Sequence, residues 1–547
     1  MRNILSTLLV VAAVTLAGCG GNDKPAITNG AAYRGDVPVL LPVPKFLTWT
    51  ASPFAIGVST DIVSYTDGGT VGRKAALRVQ QAAQAAGLGK LPCRLGPARA
   101  AGPGHIVLRP PTPAESAAQP HLGEAESYLL RVQETRIELV SNTPRGLLCA
   151  AQTLAQMLTR PAVPGCDIAD WPSQPFRALH FTVNPDMYRD PRIYPALIEM
   201  AARLKYNAII VQFQSTVQLQ RHPEAVRDVG VVSQATVRQW VALAKAYGME
   251  IFPEIKSWGH ADWTWGLGNV FYDHDTAPDF PLYAPMFGLP TGMDGQNTFC
   301  VSDPKPYRLL TDTYTEMLDV FGHPSRLHIG GDEAFAMGYR QGQKFGDPVE
   351  DGLAWLKRLA GFLRARGVQM VMWGDMFLDQ TRWTDPVGPG CNSRVDCPTA
   401  KILRRLPKDI VIADWHYRVK PDYLSTQYFR DNGFDTLGGC YGLYGYDNIT
   451  NFNRRTVKSG ALGMVQVTFK LLHTDTGFIP YGAECAWNGG EHTVADLGVD
   501  LDGYGHQMLD PLLYSGWQAD CLNFGGGKPI LPPFTTPVSY GADDWGA

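Results

Sequence analysis

Two adjacent acids, Asp332 and Glu333, follow a pair of glycines in the segment HIGGDE that begins at His328. Glycines remove side chains from a place where a ligand would approach the backbone closely. Alternation along a strand would turn the two acids to opposite sides, but at the fraying end of a strand both can reach one cavity. Two carboxyl groups in one cavity can serve as the acid and the charge-stabilising group of glycosidic bond cleavage. The alternative, a solvated acidic strand end, does not require the two glycines.

Other polar and aromatic residues also close apolar runs, namely Glu254, Trp373, Asp375 and Trp415. If these runs are parallel strands of one barrel, their carboxyl ends meet at one face, so these residues are candidates for the same site. The connection from Lys256 to about Asp303 is long and rich in Trp, Gly, His, Asp and Pro. Connections of that length are more often functional than accidental, and we predict that this one borders the site.

Short apolar runs alternate with amphipathic helical stretches eight times after residue 175. This α/β pattern predicts a TIM (β/α)8 barrel, whose active site lies at the carboxyl ends of the strands. A doubly wound open sheet is the competing interpretation, but it usually has fewer strands and a Gly-rich phosphate turn, which is absent here. The predicted strands begin at Phe176, Ala208, Glu250, Arg326, Gln369, Ile410, Thr436 and Met464.

A small α+β domain is predicted before the barrel, over residues 41–165. Its strands are HIVLRP, SYLLRVQ and RIELVS, and its helices are an Ala- and Gln-rich stretch from Ala75 and a second stretch ending at Leu158. The barrel is predicted over residues 170–490, and residues 491–547 are predicted to form an extension that packs on the barrel.

The amino-terminal residues 1–19 have the pattern of an export signal. The apolar run Ile4–Ala17 is shorter than the roughly 20 residues of a membrane-spanning helix. It ends in Leu-Ala-Gly-Cys, which looks like a bacterial lipoprotein processing site with Cys19 as the lipidated residue; a plain secretory peptide is the alternative. Residues 20–40 are predicted to be a flexible tether. Gly20, rather than Asp, favours sorting to the outer membrane of the cell envelope.

Composition excludes some partners. The formal net charge is −4 at pH 7 and 18% of residues are charged, so no basic surface is expected and nucleic acid is not a predicted partner. The cysteines after Cys19 form no C-x-x-C pair and no His cluster accompanies them, so no metal and no cofactor is assigned. A membrane is expected as a partner only through the lipid anchor. The oligomeric state stays open.

The HIGGDE segment resembles the hallmark of glycoside hydrolase family 20, the β-N-acetylhexosaminidases. The resemblance extends from Leu41 to about Asn488, because LPVPKFLTWT, RLKYNAIIV and FPEIKSWGHA are similar to successive family segments. The family's small domain and barrel are therefore implied, together with a carbohydrate substrate that carries a terminal N-acetylhexosamine.

The resemblance implies a retaining mechanism in which the substrate's own 2-acetamido oxygen attacks the anomeric carbon. By position in the motif, Glu333 would protonate the leaving oxygen and then activate water. Asp332 would orient the acetamido group and stabilise its positive charge.

Five further residues match sugar-binding positions of the family. Arg177 matches the arginine that holds the terminal sugar's hydroxyls, and a surface ion pair is its alternative role. His260 matches the histidine that supports the acid, although it could also be a loop histidine satisfied by backbone. Trp373 and Trp415 match rings that line the acetamido pocket, and Tyr441 matches a tyrosine that hydrogen-bonds the acetamido carbonyl; for these three residues a place in the core is the alternative.

Two departures from the family lie on the second and third strands. Lys256 stands where the family usually has an aspartate near the acid. The family's H-L-x-D run after the second strand is absent, and Gln212, Gln214 and Ser215 stand there instead. These changes affect the expected contacts to the sugar hydroxyls.

A third departure lies at the end of the eighth strand, where TFK at residues 468–470 replaces an expected Trp-x-Glu. Trp487 and Glu491 lie further along and are candidates to replace that pair. The favoured hypothesis is an exo-acting hydrolase that releases terminal β-linked N-acetylhexosamine. The alternatives are a lipid-anchored sugar-binding protein with weak or no hydrolysis, and a hydrolase whose sugar preference is shifted because Lys256 suits an acidic substrate group.

Overall fold

The computed structural model describes most of the chain between residues 38 and 508. The described residues are 27–28, 38–65, 69–96, 103–183, 192–213, 215–226, 230–261, 298–299, 301, 304–334, 339–340, 343–344, 346–383, 390–395, 397–469 and 476–508. Cys19 and most of the connection after Lys256 lie outside the described residues.

The amino-terminal domain is an eight-stranded sheet in the order β1-β2-β10-β7-β8-β6-β4-β5. Two helices, Gly69–Ala85 and Pro144–Met157, pack against each other and against the sheet. The strands of this domain, including the short pair β3 and β9, are β1 (Ile27–Thr28), β2 (Phe46–Trp49), β3 (Phe54–Ala55), β4 (Asp61–Ser64), β5 (Cys93–Leu95), β6 (His105–Arg109), β7 (Tyr128–Gln133), β8 (Arg136–Val140), β9 (Ala162–Val163) and β10 (Cys166–Asp170).

The sheet extends beyond the predicted limits of 41–165. Strand β10 lies between β2 and β7 and is antiparallel to both, so the sheet includes residues 166–169, which were assigned to neither domain, and Asp170, which was assigned to the barrel. Strand β1 falls within the predicted tether and pairs with Leu47 and Thr48. Both segments are short, and neither carries enough alternation to be recognised as a strand from the sequence.

Eight parallel strands close into a barrel, and the predicted fold class is confirmed. Every predicted barrel strand starts within one residue of an observed one. The barrel strands are β11 (Phe176–Val183), β12 (Ala208–Phe213), β13 (Glu250–Glu254), β14 (Arg326–His328), β17 (Gln369–Trp373), β18 (Val411–Trp415), β19 (Asp435–Cys440) and β20 (Gly463–Thr468); a two-residue pair, β15 (Tyr339–Arg340) and β16 (Gln343–Lys344), lies between β14 and β17.

Helices follow the barrel strands and cover their outer faces. The described α-helices of this part are Ile193–Arg203, Gln234–Ala246, Pro304–Val320, Pro348–Arg364, Leu424–Asp431, Tyr446–Lys458, Phe478–Asn488, Val494–Leu497 and Leu501–Met508. Short helices also occur at Pro113–Ala118, Pro120–Gly123, Pro223–Ala225, Asp375–Phe377, Thr399–Arg405 and Gly442–Tyr444. None of the helices in the described ranges combines the length and apolar character needed to cross a bilayer.

Alternation along the strands separates two layers of the core. On β11, Leu179 and Phe181 belong to the cluster shared with the surrounding helices, whereas Ala178 belongs to the cluster inside the barrel. His180 follows Ala178 by two residues and therefore also faces inward. The side chains that face the inside of the barrel are thus apolar near the amino ends of the strands and polar toward the carboxyl ends.

Asp170, at the end of β10, joins the small domain to the barrel. Its Oδ1 accepts from Trp487 Nε1 at 2.8 Å, and its Oδ2 accepts from Tyr128 OH at 2.7 Å and Lys205 Nζ at 3.0 Å. Asp170 and the Lys205 side chain are fully buried. The two charges stabilise the interface only as a pair, because either one alone would lack compensation in a medium of low polarity.

Replacing Asp170 with Ala should therefore lower the free energy of unfolding by about 3 to 5 kcal/mol, since the Lys205 charge stays buried without its carboxylate. Urea unfolding followed by tryptophan fluorescence measures the loss. As a matched control, Asp409→Ala breaks an exposed pair with Arg364 and should cost less than about 1 kcal/mol. Equal losses in the two variants would contradict the interface role.

Candidate active site

The acid pair lies in the loop that continues β14 at the carboxyl end of the barrel. Gly330 and Gly331 have φ angles of 64° and 90°, which favour glycine, and a Cβ at Gly330 would lie 2.6 Å from Lys256 Cδ. Glu333 itself has a φ of 52°, an uncommon conformation for a residue with a side chain. Non-glycine residues held in this region are concentrated at functional sites.

Asp332 is held by two cationic side chains. Lys256 Nζ donates to both of its carboxylate oxygens, at 2.9 Å and 3.0 Å, and His260 Nε2 lies 3.2 Å from Oδ2. Burial alone would raise the pKa of Asp332, but the Lys256 and His260 charges outweigh it and hold that pKa well below its usual value. Asp332 is therefore an anion throughout the physiological pH range.

Glu254 is the second carboxylate bound to Lys256, at 2.9 Å from Oε1 to Nζ. It is fully buried, its Oε2 lies 2.7 Å from His180 Nε2, and its Oε1 also accepts from Trp373 Nε1 at 3.0 Å. Burial opposes its charge, but Lys256 and two neighbouring histidines lower its pKa well below the usual value. Burial likewise opposes the charge of Lys256, yet Asp332 and Glu254 raise the pKa of that ammonium.

His260 joins the two members of the acid pair. Its Nε2 is 2.9 Å from Glu333 Oε2 as well as 3.2 Å from Asp332 Oδ2. Burial would lower the pKa of His260, but the charges of Asp332 and Glu333 raise it to about 10, so the ring is an imidazolium near neutral pH. The structure therefore places His260 where the resemblance expects it, beside the acid.

Asp375 begins the short helix that follows β17 and supports the acid pair from there. Its Oδ2 accepts from the Glu333 backbone N–H and from Asn392 Nδ2, both at 2.9 Å, and its Oδ1 accepts from Trp415 Nε1 at 3.1 Å. Burial, followed by the Asp332 charge, raises the pKa of Asp375 to about 7. Its position at a strand end marked it in the sequence, but no pattern there indicated that it fixes the Glu333 backbone.

Aromatic rings line the barrel mouth next to these acids; Trp373, Trp415, Tyr417, Tyr441 and Phe469 form what we call the aromatic wall. The ring centroids of Trp415 and Tyr417 are 4.7 Å apart, and Tyr417 lies 5.3 Å from Tyr441 and 5.9 Å from Phe469. Burial and the charges of Asp332 and Glu333 raise the pKa of Tyr417 well above its usual value. Sequence reasoning missed Tyr417, although its two-residue spacing from Trp415 is a signal for the same face.

Arg177 is the one predicted sugar ligand that the structure places elsewhere. It is the second residue of β11 and so lies at the amino end of the barrel, opposite to the acid pair. Its guanidinium is buried and donates to Glu126 at 2.7 Å and to the carbonyls of Gln174 and Lys205. Arg177 therefore joins the barrel to the small domain. The prediction that it holds sugar hydroxyls is wrong.

The departures from the family pattern have structural partners of their own. Gln212 is buried and accepts from Thr182 Oγ1 at 3.0 Å. Phe469 belongs to the aromatic wall, whereas Trp487 donates to Asp170 at the domain interface and does not replace the missing tryptophan. Gln214 and Lys470 lie outside the described residues. Among the described residues, no group of three or more His, Cys, Asp or Glu side chains could hold a metal ion.

An acid pair at the carboxyl ends of the strands of a closed (β/α)8 barrel is an arrangement that glycoside hydrolases use. The sequence profile "Glycosyl hydrolase family 20, catalytic domain" matches residues 192–433, and that of "Glycosyl hydrolase family 20, domain 2" matches residues 37–171. The two profiles together match more than half of the chain. The chain belongs to glycoside hydrolase family 20.

Individual relatives with similar sequences align with a smaller part of the chain than the two profiles do. The β-hexosaminidase of Emericella nidulans is 26% identical over 235 residues, which are 39% of this chain and 37% of that protein. β-Hexosaminidase subunit A2 of Dictyostelium discoideum is 25% identical over 226 residues, 39% of each chain. The matched regions thus span less than half the length of these relatives.

Solved structures match more broadly and show the shared fold. The exo β-N-acetylglucosaminidase of Vibrio harveyi has a TM-score of 0.62 and 16% identity, over 89% of this chain and 80% of its own. The chitobiase of Flavobacterium johnsoniae has a TM-score of 0.63 and 17% identity, over 87% and 73%.

Replacing Asp375 with Asn should change how stability depends on pH. Between its unfolded pKa near 4 and its folded pKa of about 7, Asp375 holds a proton only in the folded state, so its contribution to stability falls as pH rises. Asp375→Asn lacks this dependence. The unfolding free energy of the variant minus that of the wild type should therefore rise by up to about 1.4 kcal/mol per pH unit across that window.

Urea unfolding at half-unit pH steps measures this slope, which does not depend on the constant cost of the altered hydrogen bonds. The control Asp319→Asn changes a side chain that is 69% exposed and should give a flat difference. A flat difference for Asp375→Asn as well would show that Asp375 titrates normally.

Proposed function

We propose that the protein is an exo-acting glycoside hydrolase that releases terminal β-linked N-acetylhexosamine by a substrate-assisted, retaining mechanism. The observation that carries the proposal is the position of His260 Nε2, which lies 3.2 Å from Asp332 Oδ2 and 2.9 Å from Glu333 Oε2. His260 thereby holds two carboxyl groups with different proposed roles in one largely buried site. Membership of family 20 supports the substrate class.

Glu333 is the general acid and base of this proposal. In the first step the acetamido oxygen bonds to the anomeric carbon, the glycosidic bond breaks, and Glu333 gives its proton to the leaving oxygen. In the second step Glu333 takes a proton from water, whose oxygen bonds to the anomeric carbon and opens the oxazolinium ring. Because the Glu333 backbone N–H is bound to Asp375, the carboxyl group keeps its position through both steps.

Asp332 accepts the acetamido N–H and stabilises the positive charge that develops on the ring. The aromatic wall provides apolar faces for the acetamido methyl group and the sugar ring. Neither role requires Arg177, which is engaged by Glu126 at the other end of the barrel.

The sequence also permits two alternative functions. A sugar-binding protein with weak or no hydrolysis would keep the wall and bind the sugar without turnover. A preference for an acidic substrate group was suggested by Lys256, but the ammonium of Lys256 is already bound by Asp332 and Glu254, and this weakens that suggestion.

Glu333→Gln should lower kcat by about 10²- to 10⁴-fold, because the proton donor is lost while the hydrogen-bonding shape is kept. Release of nitrophenol from aryl β-N-acetylglucosaminide and β-N-acetylgalactosaminide measures turnover, and the ratio of the two rates gives the sugar preference. The control Glu350→Gln removes an exposed carboxylate bound to Arg405 and should retain activity. Binding of N-acetylglucosamine without turnover by the wild type would favour the sugar-binding alternative.

We also propose that Cys19 is lipidated and anchors the protein to the outer membrane of a bacterial envelope. The support is the apolar run followed by Leu-Ala-Gly-Cys, with Gly20 next in the chain. Cys19→Ala should move the expressed protein from the detergent phase to the aqueous phase in a detergent partition experiment. Cys93→Ala, which changes a cysteine of the folded domain, is the control. An unchanged partition of Cys19→Ala would leave the plain secretory signal as the better account.

A further inference from the structure

We infer that Lys256 is a positioning residue that fixes the charge and the orientation of Asp332 for the acetamido group. This inference rests on the proposed function and adds to it a role that the family's usual aspartate at this position could not fill. It follows from the contacts of Lys256, from the space around its side chain and from the charges that face Asp332.

The backbone on both sides of Lys256 is tied to the extension of β14. Ile255 N–H donates to the His328 carbonyl and Ser257 N–H donates to the Ile329 carbonyl, both at 2.9 Å. The side chain then passes Gly330, where a Cβ would stand 2.6 Å from Lys256 Cδ. The lysine stem thus occupies space that the first glycine of the acid loop leaves open, and the ammonium is directed to Asp332.

The ammonium lies between two carboxylates. It is 2.9 Å from Glu254 Oε1 and 2.9 Å and 3.0 Å from the two oxygens of Asp332, and Lys256 is only 2% exposed. The other titratable groups that interact with Asp332 are His260, Glu333, Asp375, Tyr417, His328 and Glu254. Without Lys256, only His260 would offset the charge of Glu254 on Asp332, so Asp332 would take up a proton at a higher pH.

The contacts of Asp332 also leave one hydrogen-bond acceptor position on its carboxylate for the substrate. A carboxylate offers about four acceptor positions, two on each oxygen. Lys256 occupies one on each oxygen of Asp332, and the single Nε2–H of His260, shared with Glu333 Oε2, is directed to a second on Oδ2. The remaining position is on Oδ1, and it can accept one N–H. Lys256 therefore makes Asp332 selective for a single donor in a single direction, as an acetamido N–H requires.

The test compares the wild type with Lys256→Met, which keeps the length of the stem and removes the charge. Because Asp332 would then be protonated more easily, the acid limb of the pH profile of kcat/KM should move up by about one unit or more, which is about a tenfold loss on that limb. The affinity for N-acetylglucosamine, measured by calorimetry, should fall with the same pH dependence. Methylammonium added to Lys256→Ala should restore part of both.

Lys205→Met is the matched control, because Lys205 is also fully buried and bound to a carboxylate, Asp170, at 3.0 Å, but at the domain interface. It should lower stability and leave the acid limb where it is. If Lys256→Met does not fold, Lys256→Gln replaces it with the same expectation. A wild-type acid limb and wild-type affinity in the Lys256 variant would overturn the inference.

Failure of the proposed function is distinguishable from failure of this inference. A wild type that hydrolyses neither aryl glycoside removes the proposed function, while the calorimetric titration of N-acetylglucosamine against pH still decides the role of Lys256. A wild type that binds no N-acetylglucosamine at any pH overturns the inference as well.

Discussion

A buried lysine between two carboxylates is the interaction on which the site depends. Lys256 bonds to Glu254 inside the barrel and to Asp332 at its mouth. Burying three charges is costly unless each has a partner and further hydrogen bonds, and here Glu254 is also bound by His180 and Trp373. The bridge therefore connects β11, β13 and β17 with the loop after β14, and loss of any member would leave a buried charge uncompensated.

Charges alternate along a continuous path from the barrel interior to the acid. Glu254 is followed by Lys256, Asp332, the His260 imidazolium and Glu333, with neighbouring groups 2.9 to 3.2 Å apart. Each charge is stabilised by the next, so the protonation of one group depends on its neighbours. When Glu333 is protonated for its acid step, the negative and positive charges on the path are equal in number.

The sequence was sufficient to predict features that arise from repeated or local patterns. It did not predict contacts between segments that are distant along the chain. The barrel strands followed from alternating apolar runs, and the acid loop followed from two glycines before two acids. Arg177 was assigned by motif although it stands at the start of its strand, at the end of the barrel opposite to the active face. The contact of Lys256 with Asp332 and that of Asp375 with the Glu333 backbone could not be predicted, because the partners lie 76 and 42 positions apart along the chain.

The lysine at position 256 can be accommodated because the first residue of the acid loop, Gly330, is a glycine. An aspartate at 256, as the family usually has, is shorter and would bring a fourth carboxylate toward Glu254, Asp332 and Glu333. A lysine reverses that charge but is longer, and its stem fits because Gly330 has no side chain. The departure from the family is therefore compatible with an intact acid pair: the same glycines that open the loop to a ligand also make room for the cation that keeps Asp332 charged.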